Sequence, residues 1–134
     1  MKGRLSSNGA ILEITVSASR ERVKHRGGIR TYSALVDTGA ELSFISPDVV
    51  AGTAPTLLRY VYINQANGSG AYAASYDVRF RFGDDGSPGL WLDAEAPMVQ
   101  PATPDVDIII GRDLLQAVRM TWDGPGGSFE VEYP

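Results

Sequence analysis

Short segments of alternating apolar and polar residues, separated by glycine and proline, constrain the fold of this chain most. The segment Tyr76–Phe82 reads Tyr-Asp-Val-Arg-Phe-Arg-Phe, and Ile11–Val16 alternates in a similar way. A period of two places every second side chain on one face of a sheet, which is typical of a half-buried strand. Fifteen glycines and eight prolines interrupt such segments along the 134 residues. The pattern therefore predicts a mostly β protein.

Helical signals are few. Arg112–Val118 has helix-forming residues with its leucines and valine on one face, so we expect one short helix there. Ser46 followed by Pro47 has the order of a helix start, but Gly52 and Pro55 allow only a short element. A length of 134 residues corresponds to one domain, which we expect to span the whole chain.

The charge balance and the rare residue types exclude several kinds of function. Twelve basic and 16 acidic residues give a net charge of −4, which argues against a nucleic acid or an anionic membrane as partner. The chain has no cysteine and one histidine, His25, so thiol chemistry and a multi-histidine metal centre are excluded. We expect no cofactor and no metal. No apolar run reaches membrane-spanning length, so we expect a cytoplasmic protein or a soluble domain of a larger one.

One carboxylate lies where an apolar strand is expected to end. Ala34-Leu35-Val36 precedes Asp37-Thr38-Gly39, and a second apolar run follows from Leu42. Aspartate is unfavourable inside a strand and costly to bury without a partner. On a tight turn after such a strand it is held rigidly with little access to water, as a catalytic carboxylate requires. The alternative for the tripeptide alone is an ordinary β-turn.

A second motif favours the catalytic interpretation of Asp37 over an ordinary turn. Ile109-Ile110-Gly111-Arg112-Asp113 is an apolar strand end followed by the expected helix. Together with Leu35-Val36-Asp37-Thr38-Gly39-Ala40 it resembles the retropepsin-like aspartic proteases, the single-lobe branch of the pepsin clan. The resemblance implies a retropepsin-like domain over residues 1–134: a closed all-β barrel with one short helix near its C-terminal end and a flap hairpin. It also implies that Asp37 is catalytic.

The chemistry implied by this resemblance needs two carboxylates, one ionised and one protonated. The chain contains one Asp-Thr-Gly and no Asp-Ser-Gly. We therefore expect a homodimer in which two Asp37 side chains meet at a two-fold axis and hydrolyse an extended peptide. The strands that hold the dimer are expected at the chain ends, within Ser128–Tyr133 or before Ile11.

The resemblance implies further roles. Thr38, Gly39 and Ala40 would support the active-site loop, Thr38 by a hydroxyl bond to the partner's loop and Gly39 by allowing close approach of substrate. Glu41 and Arg112 would form a structural ion pair.

A glycine-rich turn between the two motifs is a candidate flap. It consists of Asn67, Gly68, Ser69 and Gly70, and its backbone would close over a bound peptide. An ordinary hairpin explains the same residues equally well.

Two other functions stay open at this stage. One is a binding or assembly module with the protease fold and little activity. The other is a calcium-binding β domain that uses the acidic turn Asp84-Asp85, although its spacing does not match an EF-hand loop. A Ser-His-Asp site is disfavoured, since His25 lies in a charged loop.

Overall fold

The computed structural model describes residues 1–18, 28–64 and 68–134. These residues form ten strands and two short helices. In chain order they are β1 (Lys2–Ser6), β2 (Gly9–Ala18), β3 (Arg30–Val36), β4 (Phe44–Ile45), α1 (Pro47–Thr53), β5 (Thr56–Asn64), β6 (Gly70–Phe82), β7 (Leu90–Pro97), β8 (Ile108–Ile110), α2 (Arg112–Leu115), β9 (Arg119–Asp123) and β10 (Ser128–Glu132). The mostly β class predicted from the alternating segments is confirmed.

All ten strands belong to one hydrogen-bonded sheet, which branches at β2. The main path runs β4-β8-β3-β2-β1-β10-β9, and β6 leaves β2 to pair with both β5 and β7. The pairing of β3 with β8 is parallel, and the other named strand pairs are antiparallel. The core consists of fully buried aliphatic and aromatic residues, which include Leu12, Ile14, Val78, Phe80, Phe82, Ile108, Ile110 and Leu114.

The expectation of a barrel closed by continuous strand pairing is not met. β1 and β6 share one edge of β2, since Arg4 pairs with Ile11 near one end and Ala18 pairs with Val78 at the other. This division leaves β4 and β9 as the two ends of the main path. Within the described residues an isolated bridge between Ile45 and Met98 joins β4 to the chain after β7.

The described residues contain two short helices, one at the Ser46-Pro47 helix start and one at the single helix expected near the C-terminal end of the fold. α1 begins as the sequence indicated, because the Ser46 hydroxyl accepts a hydrogen bond from the Val49 N–H at 3.3 Å. It ends at Thr53, after which Ala54 takes the left-handed conformation with φ of 47°. α2 is a single turn that ends at Leu115, shorter than predicted. In the three described ranges, no helix is long and apolar enough to cross a membrane.

β1 was not predicted, because it lacks an apolar alternation. Its residues Lys2–Ser6 are exposed or half-buried along their whole length. It forms by pairing on both edges, with β2 through Leu5 opposite Ala10 and with β10 through Gly3 opposite Phe129. A side chain at Gly3 would overlap the Phe129 ring, so glycine is needed there for steric reasons.

A polar contact ties together β5, β6 and β7. Glu95 Oε2 accepts hydrogen bonds from Arg59 Nε at 2.9 Å and from the buried Ser75 hydroxyl at 2.7 Å. The bond from Arg59, followed by that from Ser75, holds the pKa of Glu95 below its ordinary value. A carboxyl whose pKa is lower in the folded state stabilises the fold above its unfolded pKa. That stabilisation is lost as the pH falls through the folded pKa.

We therefore expect Glu95→Gln to lower the free energy of unfolding at pH 7 by about 1 kcal/mol. The advantage of the wild type should begin to decline as the pH falls below 4.5, the ordinary pKa of glutamate, and disappear as the pH passes the lower pKa of folded Glu95, so the two proteins converge in acid. Urea unfolding at pH 7 and at pH 3 measures both values, and Asp85→Asn in an exposed turn is the control. A difference between wild type and Glu95→Gln that is the same at both pH values would contradict the prediction.

Candidate active site

Asp37 lies immediately after β3, where the sequence placed it. Its backbone N–H donates to the carbonyl of Ile110 in β8 at 2.9 Å, so the turn begins on a paired strand. Its Oδ1 accepts the N–H of Gly39 at 2.9 Å, and its carbonyl accepts the N–H of Ala40 at 3.2 Å. The side chain is half-buried. The turn thus fixes one carboxylate oxygen by a backbone donor and holds the carboxylate in one orientation.

The segment at the start of α2 is hydrogen-bonded to the loop that contains Asp37. The N–H of Arg112 donates to the Ala40 carbonyl at 2.9 Å, and the N–H of Asp113 donates to the Glu41 carbonyl at 3.2 Å. The first N–H groups of a helix have no partner inside the helix, and here the loop carbonyls supply it. Gly111 allows this contact, because a side chain there would overlap the backbone of Leu42.

Asp113 makes the strongest polar link between α2 and the loop. Its Oδ1 accepts a hydrogen bond from the Ser43 hydroxyl at 2.6 Å, and its Oδ2 accepts the Ser43 N–H at 3.1 Å. The same hydroxyl accepts the Gly111 N–H at 2.9 Å. Ser43 is fully buried, so each of these groups would be costly to leave unpaired. Asp113 belongs to the second sequence motif, but nothing in that motif predicts its contact with Ser43.

Glu41 and Arg112 do not form the ion pair expected for them. Among the described residues the ion pairs do not include this one. The Arg112 guanidinium instead donates from Nη1 to the carbonyl of Thr38 at 2.9 Å. The Arg112 side chain therefore supports the loop by binding the carbonyl oxygen of Thr38, while Glu41 is exposed. The carboxylate that couples the loop to α2 is that of Asp113.

A cleft of about 650 Å³ opens beside the carboxylate of Asp37. Its volume lies within the range of small-molecule and peptide subsites. One wall is the loop itself, another is the end of β5, and a third is the segment after β7. The lining residues are Leu35, Asp37, Gly39, Ala40, Glu41, Leu42, Phe44, Tyr62, Ile63, Asn64, Val99, Gln100, Pro101, Ala102, Thr103 and Ile109.

The end of β5 lines this cleft and continues into the hairpin of β5 and β6. Its last described pair is Asn64 with Gly70, so the tip includes the expected flap residues. Gly68 has a φ of 84°, which favours glycine, and Ser69 and Gly70 are exposed. Asn67 lies outside the described residues. The geometry is compatible with a cover for the cleft, but the role of Gly68, Ser69 and Gly70 as a flap stays a prediction.

The alternative sites, an acidic calcium turn and a histidine-dependent site, gain no support from the described geometry. Within those residues no group of three or more histidine, cysteine or acidic side chains is placed to hold a metal ion. Asp84 Oδ2 lies 3.6 Å from the N-terminal ammonium of Met1. His25 lies outside the described residues.

Comparison with protein families agrees with this geometry. A family model described as retroviral aspartyl protease matches residues 11–122, which is most of the chain. The chain belongs to the retroviral aspartyl protease family. The resemblance seen in the two motifs is thereby confirmed. This family match begins in β2 and ends in β9, so β1 and β10 lie outside it. A comparison with curated proteins gave no match.

Proposed function

We propose that this family member is an aspartic endopeptidase that acts as a homodimer, with Asp37 of each subunit as the catalytic pair. The observation that carries the proposal is the fixed placement of one carboxylate in the lining of a cleft. A hydrogen bond from Gly39 orients the carboxylate of Asp37, and the Gly111–Asp113 segment holds the loop around it. Such anchoring supports catalysis, because small displacements of an acid or base reduce the rate strongly.

Two adjacent carboxylates supply both proton transfers that peptide hydrolysis requires. The ionised Asp37 takes a proton from a water molecule as the water oxygen bonds to the scissile carbonyl carbon. The protonated Asp37 of the partner subunit gives its proton to the carbonyl oxygen, which forms a tetrahedral diol. The Asp37 that took the proton from water then gives it to the amine nitrogen, and the partner's Asp37 takes a proton from one diol hydroxyl. The C–N bond breaks, a carboxylic acid and an amine leave, and the pair again holds one proton. The pair shares one proton because two like charges a few ångströms apart cannot both ionise cheaply.

A second chain is required, because the sequence supplies one Asp-Thr-Gly per chain. A two-fold axis brings identical surfaces together, and an axis that passes beside Asp37 places the two Asp37 side chains opposite each other. An extended peptide would then lie across both clefts. Apolar side chains such as Leu35, Phe44 and Ile109 line the cleft wall and favour apolar substrate residues near the scissile bond.

We expect the specific activity to depend on protein concentration. Below the dissociation constant of the dimer, the fraction of chains in dimers falls in proportion to concentration, so the activity per chain falls with it. A dilution series with a library of quenched fluorescent peptides measures the activity, and sedimentation over the same range measures the dimer. Cleavage by a species that sediments as a monomer would refute the shared site. A dimer that cleaves no peptide would instead favour a binding module.

A further inference from the structure

The carboxylate of Glu41 has no partner among the described residues, although the loop around it is firmly held. The described ion pairs do not include Glu41. Its backbone carbonyl accepts the N–H of Asp113 at 3.2 Å, so the position of the residue is fixed. The guanidinium of Arg112, which was expected to neutralise it, bonds to the carbonyl of Thr38 at 2.9 Å. The exposed carboxylate of Glu41 is therefore available to a ligand.

Glu41 gives the cleft beside Asp37 an acidic character. The charged side chains of its described lining are those of Asp37 and Glu41, and no basic side chain belongs to that lining. In the proposed dimer the Asp37 pair keeps one negative charge, because it shares a proton, and each of the two Glu41 side chains adds another. A cleft that carries one sign of charge attracts ligands of the opposite sign.

The turn sets the distance between Glu41 and the reacting bond. The hydrogen bond of 3.2 Å from the Ala40 N–H to the Asp37 carbonyl closes a four-residue turn. The outer Cα atoms of such a turn are less than about 7 Å apart, and one more step adds about 3.8 Å. The Cα atom of Glu41 thus lies within about 11 Å of that of Asp37. An extended peptide advances about 3.3 Å per residue, so this distance corresponds to about three substrate residues.

The mixture of apolar and acidic groups fits a long basic side chain. Lysine and arginine lay their methylene stems along apolar surfaces and keep the charged end in contact with polar groups. Leu42 follows Glu41 in the chain and lines the same cleft. A lysine or arginine of the substrate can therefore place its stem against the apolar lining and its charge beside the carboxylate of Glu41.

We propose that Glu41 determines specificity by selecting substrates with a lysine or arginine within about three residues of the scissile bond. The proposal rests on the proposed function, because it takes the cleft beside Asp37 as the place where the peptide binds. Since a two-fold axis places one Glu41 on each side of the scissile bond, a basic residue is favoured on either side. The apolar preference next to the scissile bond is unchanged.

A matched pair of peptides tests the proposal. Peptides that the wild type cleaves from a random library, identified by mass spectrometry, should be enriched in lysine or arginine at these positions. One such peptide is then made with lysine or with acetyl-lysine, which has a similar stem without the charge. The ratio of kcat/KM for the two peptides should be about tenfold in the wild type, mainly through KM, and below threefold in Glu41→Gln. Asp85→Asn, in an exposed turn, should keep the wild-type ratio. A library without this enrichment, or an unchanged ratio in Glu41→Gln, would overturn the proposal.

Reversal of the charge separates a direct contact from the general field of the protein. Glu41→Lys should prefer glutamate to glutamine at the position where the wild type prefers lysine to acetyl-lysine, because the opposite charges then meet at the same place. Circular dichroism and sedimentation check that the variant is folded and dimeric. A folded, active Glu41→Lys dimer without this reversed preference would refute the contact.

The two proposals can fail separately. Cleavage of peptides without a charge preference would leave the proposed function standing and reject the role of Glu41. If no peptide is cleaved, the proposed function fails, and fluorescence anisotropy of labelled apolar peptides with one lysine or one acetyl-lysine decides the role of Glu41. Tighter binding of the lysine peptide by the wild type, lost in Glu41→Gln, supports that role, and any other result rejects it.

Discussion

Substitution of Asp37 by asparagine is expected to abolish peptide hydrolysis, with a loss of about 10³-fold or more. Asparagine can neither take a proton from water nor give one to a carbonyl oxygen at ordinary pH. The fold should persist, because the amide oxygen of asparagine can still accept the N–H of Gly39 in place of Oδ1. The measurement is the rate of cleavage of a peptide substrate at a protein concentration at which the wild type is dimeric. Asp85→Asn, in an exposed turn, is the control for loss of one negative charge.

Mixing makes this experiment more specific. If Asp37→Asn chains pair freely with wild-type chains, an equimolar mixture contains about one quarter active homodimers. The activity should therefore fall to about a quarter of that of the same total amount of wild type. A monomeric enzyme would keep half. Activity of Asp37→Asn alone equal to wild type would exclude Asp37 from the reaction.

The alternating segments allowed much of the sheet to be predicted. In Tyr76–Phe82 the residues Val78, Phe80 and Phe82 are fully buried, as the period of two required. The segment belongs to the longer β6, which begins at Gly70. β1 could not be predicted, because pairing with β2 and β10 rather than its own composition holds it. Local patterns also could not predict whether the sheet closes, because closure depends on how β1 and β6 divide one edge of β2.

The site shows where local reasoning ends. The position of Asp37 followed from an apolar strand and a turn, which are neighbours in the sequence. The partner of Arg112 could not be predicted in this way, because the Thr38 carbonyl and the Glu41 side chain both belong to the loop that Arg112 supports. Only the packed structure decides between them, and it places Nη1 on Thr38. Ser43 and Asp113 are 70 residues apart, and neither motif predicts that the Ser43 hydroxyl donates a hydrogen bond to the Asp113 carboxylate.

Substitution of Gly111 by alanine is expected to destabilise the protein by about 3 kcal/mol and to reduce activity further than stability alone explains. An added Cβ would lie 2.6 Å from the carbonyl carbon of Leu42 and 2.9 Å from the carbonyl oxygen of Ala40. Both are backbone atoms, which cannot move aside as a flexible side chain can. The φ of −96° at Gly111 is accessible to alanine, so the effect is a collision and not conformational strain.

Relief of that collision requires the Asp37 loop and the start of α2 to separate. This separation would lengthen or break the hydrogen bonds from Arg112 to Ala40 and from Gly111 to Ser43. Urea unfolding gives the change in free energy, and turnover at a temperature where the variant is folded gives the catalytic effect. Gly124→Ala is the matched control, because no atom lies within 4 Å of a Cβ there. If folded Gly111→Ala were as active as Gly124→Ala, the α2 contact would stabilise the fold without positioning Asp37.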